Sequence, residues 1–368
     1  METCRHICFV IDSMKCGGMQ RVAASLVSAW ARNGNRVTLV TFDTAERDFF
    51  KLDRGVERIG MGVEGKSESL LERVTRTARR TIGLRRVLSR TAPDVLVSFG
   101  EKTNITLLAA VLGMNVPTVI SERTDPRQHR QHPVWRASRY LTYRLAQSVV
   151  LQTTTVRDWA AEFLQPGRLD VIANPVDVGA ASGAPLSYVQ RENQIVGLGR
   201  LSREKGFDLL IEAFSAIEAQ GWRLVIAGDG AYRPQLVAQV ERLGIQDRVE
   251  FLGAIDDPFS VLRASKVFVL SSRYEGFPNA LLEAMACGCS VVSFDCDSGP
   301  RDLIDQAVNG VLVPPEDVAA LTGSLQDLTS CSERAEQLAS AASDSVSLYS
   351  MESILRKWEA VFAKVART

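Results

Sequence analysis

Short apolar runs alternate with stretches of helical period along most of the chain. Residues 7–11 (Ile-Cys-Phe-Val-Ile) are uniformly apolar, the pattern of a strand covered on both faces. Gly17-Gly18 follows, and 20–33 then places Val22, Leu26, Val27 and Trp30 on one helix face. Further strands are predicted at 37–42, 94–99, 116–120 and 148–151. Strands separated by helices imply βαβ units and a parallel sheet. Residues 174–193 have neither period and are rich in Gly, Ala, Ser and Pro, so they read as a linker. The alternation then restarts. Strands are predicted at 195–198, 223–227, 249–252, 267–270 and 290–294, with helices at 207–220, 233–243, 258–264 and 279–287. A last helix, about 351–366, gathers Ile354, Trp358, Val361 and Phe362 on one face that must pack against something.

The pattern predicts an α/β protein of two Rossmann-like, doubly wound domains facing across a cleft. The first is 1–174, a linker spans 175–193, the second is 194–350, and 351–368 is a terminal helix expected to return to the first. The 368 residues suit two domains. A hydrophobic share of 46% is enough for two cores and excludes a disordered chain. The 43 basic and 43 acidic residues cancel, which gives no general attraction to nucleic acid. The balance is uneven along the chain, with 26 basic against 18 acidic residues in 1–180 and 17 against 25 in 181–368. A basic first half suits an anionic surface or a phosphorylated substrate, although chance variation gives the same count. Seven cysteines without a CxxC pair, and three histidines, offer no zinc spacing and suit a reducing, cytoplasmic compartment. The first apolar run ends by Ile11, too short for a secretory leader, and no window reaches the roughly 18–20 apolar residues of a membrane span.

Three segments of the second half carry candidate chemistry. In Gly197-Leu-Gly199-Arg200-Leu-Ser-Arg-Glu-Lys205-Gly206 a strand runs into a flexible loop with two cations five residues apart. A guanidinium fork and a point ammonium can both reach one diphosphate, and a solvated surface loop has the same composition. Ala227-Gly228-Asp229-Gly230 allows close backbone approach after a strand, as around a nucleotide base, and a plain turn needs the same residues. In Glu275-Gly276-Phe277-Pro-Asn279-Ala280-Leu-Leu-Glu283 two acids flank a helix N-terminus, itself an anion site. A carboxylate at Glu283 repels phosphate and accepts two hydrogen bonds from vicinal ribose hydroxyls.

Together these segments resemble the retaining glycosyltransferases of family 4, which have the GT-B fold, and the likeness runs from the turn near Gly17 to about Leu328. The resemblance implies transfer of a hexose or N-acetylhexosamine from a nucleotide diphosphosugar, UDP-linked by expectation, without a required metal or other cofactor. By matching position, Arg200 and Lys205 hold the donor diphosphate and Glu275 meets the donor sugar, these three forming the catalytic set. Glu283 binds the ribose. Gly199, Gly228, Asp229, Gly276, Phe277, Asn279 and Ala280 line the donor site, and in the family a loop such as Gly17-Gly18 lies beside the diphosphate.

The first half supplies an acceptor reading. Gly17-Gly18 is not a GxGxxG fingerprint, so its residues do not suit a dinucleotide oxidoreductase. Ser98-Phe-Gly-Glu-Lys102-Thr-Asn104 and Ile120-Ser-Glu122-Arg123-Thr-Asp-Pro126 each follow a strand, so their polar residues are expected to face the cleft. They are similar to segments of bacterial enzymes that add N-acetylgalactosamine to undecaprenyl-diphosphate-linked sugars, which implies Lys102, Asn104, Glu122 and Arg123 as acceptor residues. Some relatives carry His where this chain has Arg123. Residues 66–91 hold eight cations against two acids. A helical wheel sets Arg73, Arg76, Arg79, Arg80, Arg86 and Arg90 opposite Leu70, Leu71, Val74, Ala78, Ile82 and Leu88, with Arg85 on the apolar side and Gly83 a candidate break. In the resembled enzymes a helix here meets the membrane and the lipid diphosphate, which implies Arg73, Arg76, Arg79 and Arg80 as contacts; a solvated basic face remains the alternative. The expected partners are a nucleotide sugar, a lipid-linked saccharide and an anionic membrane surface, with no nucleic acid. Transfer to a soluble acceptor, or nucleotide-sugar binding without catalysis, stays open at this point.

Overall fold

The computed structural model describes residues 4–63, 70–128, 133–177, 179 and 187–366, and for 70–74 the backbone only. Two compact units emerge: Met1–Asn174 with Met351–Thr368, and Pro175–Ser350. The first unit runs β1 (His6–Ile11), α1 (Gly18–Arg32), β2 (Arg36–Thr41), β3 (Val56–Gly60), α2 (Leu70–Thr91), β4 (Val95–Phe99), α3 (Glu101–Ala110), β5 (Thr118–Ser121), α4 (Pro133–Thr142), β6 (Ser148–Leu151), α5 (Thr154–Ala161) and β7 (Leu169–Val171). Its sheet has the order β3-β2-β1-β4-β5-β6-β7 and every pairing is parallel. The chain order reverses between β1 and β4. Val10 lies opposite Ser98, and Phe99 opposite Ser121, so β1, β4 and β5 end level with one another.

The second unit repeats the plan with β8 (Glu192–Leu198), α6 (Phe207–Ala216), β9 (Arg223–Ala227), α7 (Arg233–Leu243), β10 (Val249–Gly253), α8 (Pro258–Ala264), β11 (Ser265–Leu270), α9 (Asn279–Ala286), β12 (Ser290–Phe294), α10 (Pro300–Leu303), β13 (Val311–Val313), α11 (Val318–Ser330) and α12 (Ser332–Ser345). The order is β10-β9-β8-β11-β12-β13, again parallel, with the reversal between β8 and β11. The expected linker is partly built into this unit: Tyr188 is buried in its core and its hydroxyl meets Ser290 Oγ at 2.9 Å.

The final helix, α13 (Met351–Val365), belongs to the first unit. Its stripe of Ile354, Leu355, Trp358, Val361, Phe362 and Val365 is buried there. The indole of Trp358 stands edge-on to Trp30 with ring centroids 5.8 Å apart, beside Phe99 and Phe362. Ion pairs Arg5–Glu359 and Lys364–Asp170 fasten the polar side.

Helix α2 departs from its expected wheel. It is continuous through Gly83, where a methyl group would stand 2.8 Å from Met61 Cε. The inward face carries Leu84 and Leu88, with Ala78 and Ile82 outside. Arg80 lies one turn before Leu84 on that same inward face. Its guanidinium sits over the Phe42 ring at 5.2 Å, and its Nε donates to the Val63 carbonyl at 3.4 Å. Arg80 therefore packs on the unit instead of joining the outer basic row. Arg85 donates to the carbonyls of Ala110 and Leu112 at the end of α3, both at 2.7 Å. Arg79, Arg86 and Arg90 are exposed and Arg76 is half-buried, while the side chain of Arg73 lies outside the described residues.

Candidate active site

In open parallel sheets, ligand sites form beyond the carboxyl ends of the strands where the strand order reverses. In the second unit that point lies between β8 and β11. The loop after β8 turns through Arg203–Lys205, and Gly206 then enters α6 with φ +62°. A Cβ on Gly206 would stand 1.9 Å from the Ser271 carbonyl oxygen, so the two loops touch backbone to backbone. Ser271 Oγ donates to the Lys205 carbonyl at 3.0 Å, and the Arg273 amide donates to the Glu204 carbonyl at 2.8 Å. Arg273 also pairs with Asp208 at 2.7 Å and Glu316 at 2.8 Å. Those acids push its pKa still higher, so the clamp stays charged.

The clamp holds the two candidate loops in register. Lys205 Nζ lies 2.6 Å from Glu275 Oε1, which also accepts from Ser272 Oγ at 2.6 Å. An ammonium and a carboxylate from opposite sides of the reversal point thus form one charged pair. Arg200, five residues before Lys205 in the same loop, is exposed. Gly228 follows β9 pressed against this loop, where a Cβ would fall 1.8 Å from the Gly199 carbonyl oxygen. Asp229, beside it, accepts from the Gly230 amide at 2.8 Å. Beyond Gly276, Phe277 is buried and α9 begins. The Asn279 amide turns back to the Phe277 carbonyl, and those of Leu281 and Leu282 to Pro278. Among the described residues the Ala280 amide has no such acceptor, so it is the donor this helix end can offer a ligand. Glu283 sits one turn further in, buried at 7% exposure. Arg191 fixes the other end of α9 by donating to the carbonyls of Gly288 at 2.7 Å and Cys287 at 2.8 Å.

In the first unit the reversal point lies between β1 and β4. Gly17 is half-buried and Gly18 exposed at the start of α1. The segment after β4 is not a polar loop but the start of α3. Asn104 has no exposed surface there. It accepts from Ser98 Oγ at 2.7 Å and donates to the Ser121 carbonyl at 2.9 Å and the Tyr143 hydroxyl at 3.1 Å. Tyr143 in turn donates to Glu122 Oε2 at 2.8 Å. Arg139, buried in α4, lies 2.9 Å from Glu101 Oε1 and 3.6 Å from Glu122 Oε2, over the Trp159 ring. Burial raises both carboxyls, that of Glu101 to about 7, against the pull of Arg139. Asn104 and Glu122 are thus struts that hold the strand ends, rather than groups presented outward. Lys102 is exposed, its ammonium 5.8 Å from the Trp135 ring centre. Arg123 is buried over the Phe99 ring.

Two family models match the chain. One, "Glycosyltransferase Family 4", covers residues 16–179; the other, "Glycosyl transferases group 1", covers 185–345. The chain belongs to the family 4 glycosyltransferases. It is 25% identical, over 98% of each chain, to the Campylobacter jejuni "GalNAc-alpha-(1->4)-GalNAc-alpha-(1->3)-diNAcBac-PP-undecaprenol alpha-1,4-N-acetyl-D-galactosaminyltransferase". It is 24% identical to the amylovoran biosynthesis glycosyltransferase AmsD of Erwinia amylovora, over 93% of this chain and 95% of that one. Among solved structures, Anabaena Alr3699/HepE in complex with UDP superposes with a TM-score of 0.81 at 19% identity, covering 97% of this chain and 99% of the other, which shows the shared GT-B fold.

For this glycosyltransferase, sequence and structure agree unevenly on the candidate residues. Lys205, Glu275, Gly228 and the α9 end share one reversal point, while Gly17, Gly18 and the first-half residues lie on the other unit. Arg139 and Tyr143 lie in no candidate segment, and Glu101 and Arg273 lie inside or beside candidate segments without having been singled out; only the packing of distant segments gives the four their partners. Among the described residues no cluster of three or more His, Cys, Asp or Glu could hold a metal ion, and no helix is long and apolar enough to cross a membrane.

Proposed function

We propose that this glycosyltransferase moves a hexose or N-acetylhexosamine, with retention, from a UDP-sugar to a saccharide on a lipid diphosphate during surface polysaccharide assembly. The observation that carries the donor half is the Lys205–Glu275 pair at the reversal point, with the Ala280 amide nearby in sequence. When the bond from sugar C1 to the diphosphate breaks, charge grows on the departing oxygen. Lys205, Arg200 and the helix end answer that charge, so no resident metal is needed in this scheme. The acceptor hydroxyl attacks C1 from the face the diphosphate leaves, and its proton passes to the departing phosphate oxygen. Glu275, its Oε1 already engaged, turns Oε2 to a sugar hydroxyl and positions the ring. Glu283 takes the ribose hydroxyls. The lipid-linked acceptor is supported by the name of the Campylobacter relative.

The test is a panel of nucleotide sugars with free UDP and GDP beside them. UDP should raise Tm more than GDP at equal concentration, about 2.7 kcal/mol of stabilisation at a hundredfold excess over Kd. The product anomer, read by NMR, should match the donor. A larger shift with GDP replaces the base assignment, and an inverted product sinks the retaining scheme.

The outer row of α2 is the contact proposed for the inner face of the plasma membrane, which makes the protein peripheral. Arg79, Arg86 and Arg90 are exposed, and each cation near an anionic surface is worth about 1 kcal/mol. Changing all three to Gln should lower co-sedimentation with anionic vesicles about a hundredfold, and equal co-sedimentation removes the contact.

A further inference from the structure

Arg123 is a buried ionised group of the first unit that its own surroundings serve poorly. It follows β5, level with the ends of β1 and β4, and its residue is 8% exposed. Its guanidinium stacks on the Phe99 ring, 4.1 Å from the centroid. The polar contacts are neutral ones: the Asn174 side-chain oxygen, and Ser121 Oγ at 3.5 Å, a long approach. Nε is buried without a partner, and among the described residues no carboxylate lies within ion-pairing distance. The neighbouring Glu122 is engaged by Tyr143, Thr124 and Arg139.

This is an expensive arrangement. A guanidinium taken out of water without a counter-charge pays a desolvation penalty that neutral acceptors return only in part. Its pKa shows the same imbalance, since burial pulls it down to about 9 with Glu122 alone opposing. The contrast with Arg139 is direct, because that buried guanidinium of the same unit has two acids beside it. A planar fork held against an aromatic ring and lacking an acid is preorganised for an incoming oxyanion.

We propose that Arg123 seats an oxyanion of the substrate held by the first unit, a phosphate or a carboxylate, and that the bound anion supplies the counter-charge missing from the fold. This rests on the transfer reading above and narrows its acceptor to molecules carrying such a group near the reacting sugar. Neutral saccharides without one would leave the guanidinium unpaired.

The test uses the full chain saturated with UDP, so that the donor cations are occupied, and titrates it by calorimetry with inorganic pyrophosphate and, separately, with glucuronate. At least one probe should bind. Arg123→Gln should weaken that binding about tenfold or more. Asn174→Asp keeps the guanidinium and gives it an internal carboxylate; it should weaken the probe to a similar degree while Tm holds or rises. Arg123→Lys, which keeps charge without the fork, should fall between. Binding of pyrophosphate alone assigns a phosphate, and of glucuronate alone a carboxylate. If neither probe binds the unaltered protein, or if the folded variants bind it equally well, the inference is overturned. Should Arg123→Gln fail to fold, Asn174→Asp decides. A protein that fails to bind UDP at all instead overturns the donor reading, so the two failures are distinguishable.

Discussion

Lys205→Ala lowers turnover of the sugar nucleotide by about a hundred- to a thousandfold, the scale for losing one preorganised charge that meets the transition state. The ammonium is fixed 2.6 Å from Glu275 Oε1 by loops clamped through Arg273, so its position does not have to be found anew in each cycle. The fold should survive, since Lys205 is a partly exposed loop residue outside the core. Steady-state kinetics with acceptor present, alongside Tm, separate the two effects. A variant with near-normal kcat would remove the ammonium from the donor assignment. Glu283→Ala offers the contrast: a ribose contact acts on the ground state and the transition state alike, so KM rises more than kcat falls.

Trp358→Ala destabilises the first unit by about 3–5 kcal/mol, the range for emptying a buried indole site. The side chain is 1% exposed and packs on Trp30, Phe99 and Phe362, which belong to three different elements. In a close-packed core the neighbours relax into such a space only in part. Urea unfolding followed by tryptophan fluorescence should show the loss in one transition, with the second unit's transition in place. A loss below about 1 kcal/mol would mean that α13 adds little to that core.

The strands covered on both faces were legible in the sequence because each is a short, mostly apolar run broken only by an occasional Ser or Thr: β1, β2, β4 and β11 stand where the pattern placed them, within a residue or two at either end. The missed strands lack that signal. In β3, Val56-Glu-Arg-Ile-Gly60 lies at a sheet edge and mixes polar with apolar positions. β7 and β13 are three residues each and also terminal, too short for a period to show. On α2, counting apolar residues was misleading because Arg80 lays an aliphatic stem along the inner face while Ile82 points outward. The residues proposed for the donor stand out in the sequence because chemistry and spacing coincide within single loops, and the structure brings two of them, Lys205 and Glu275, together. Asn104 and Glu122 were read as outward-facing because each follows a strand end; Tyr143 and Arg139, from α4 and the turn after it, close over them.

The placement of α13 has a bearing on biosynthesis. The ribosome releases β1 to β7 long before Met351–Val365, yet that sheet's aromatic core is incomplete until Trp358 and Phe362 arrive. The 175–350 segment can finish folding in the interval, so the order of maturation runs opposite to the order of synthesis for these two bodies. A nascent chain stalled before Ser350 should carry an exposed apolar trough along α1 and β4, and it is at that stage that a chaperone would find most to hold.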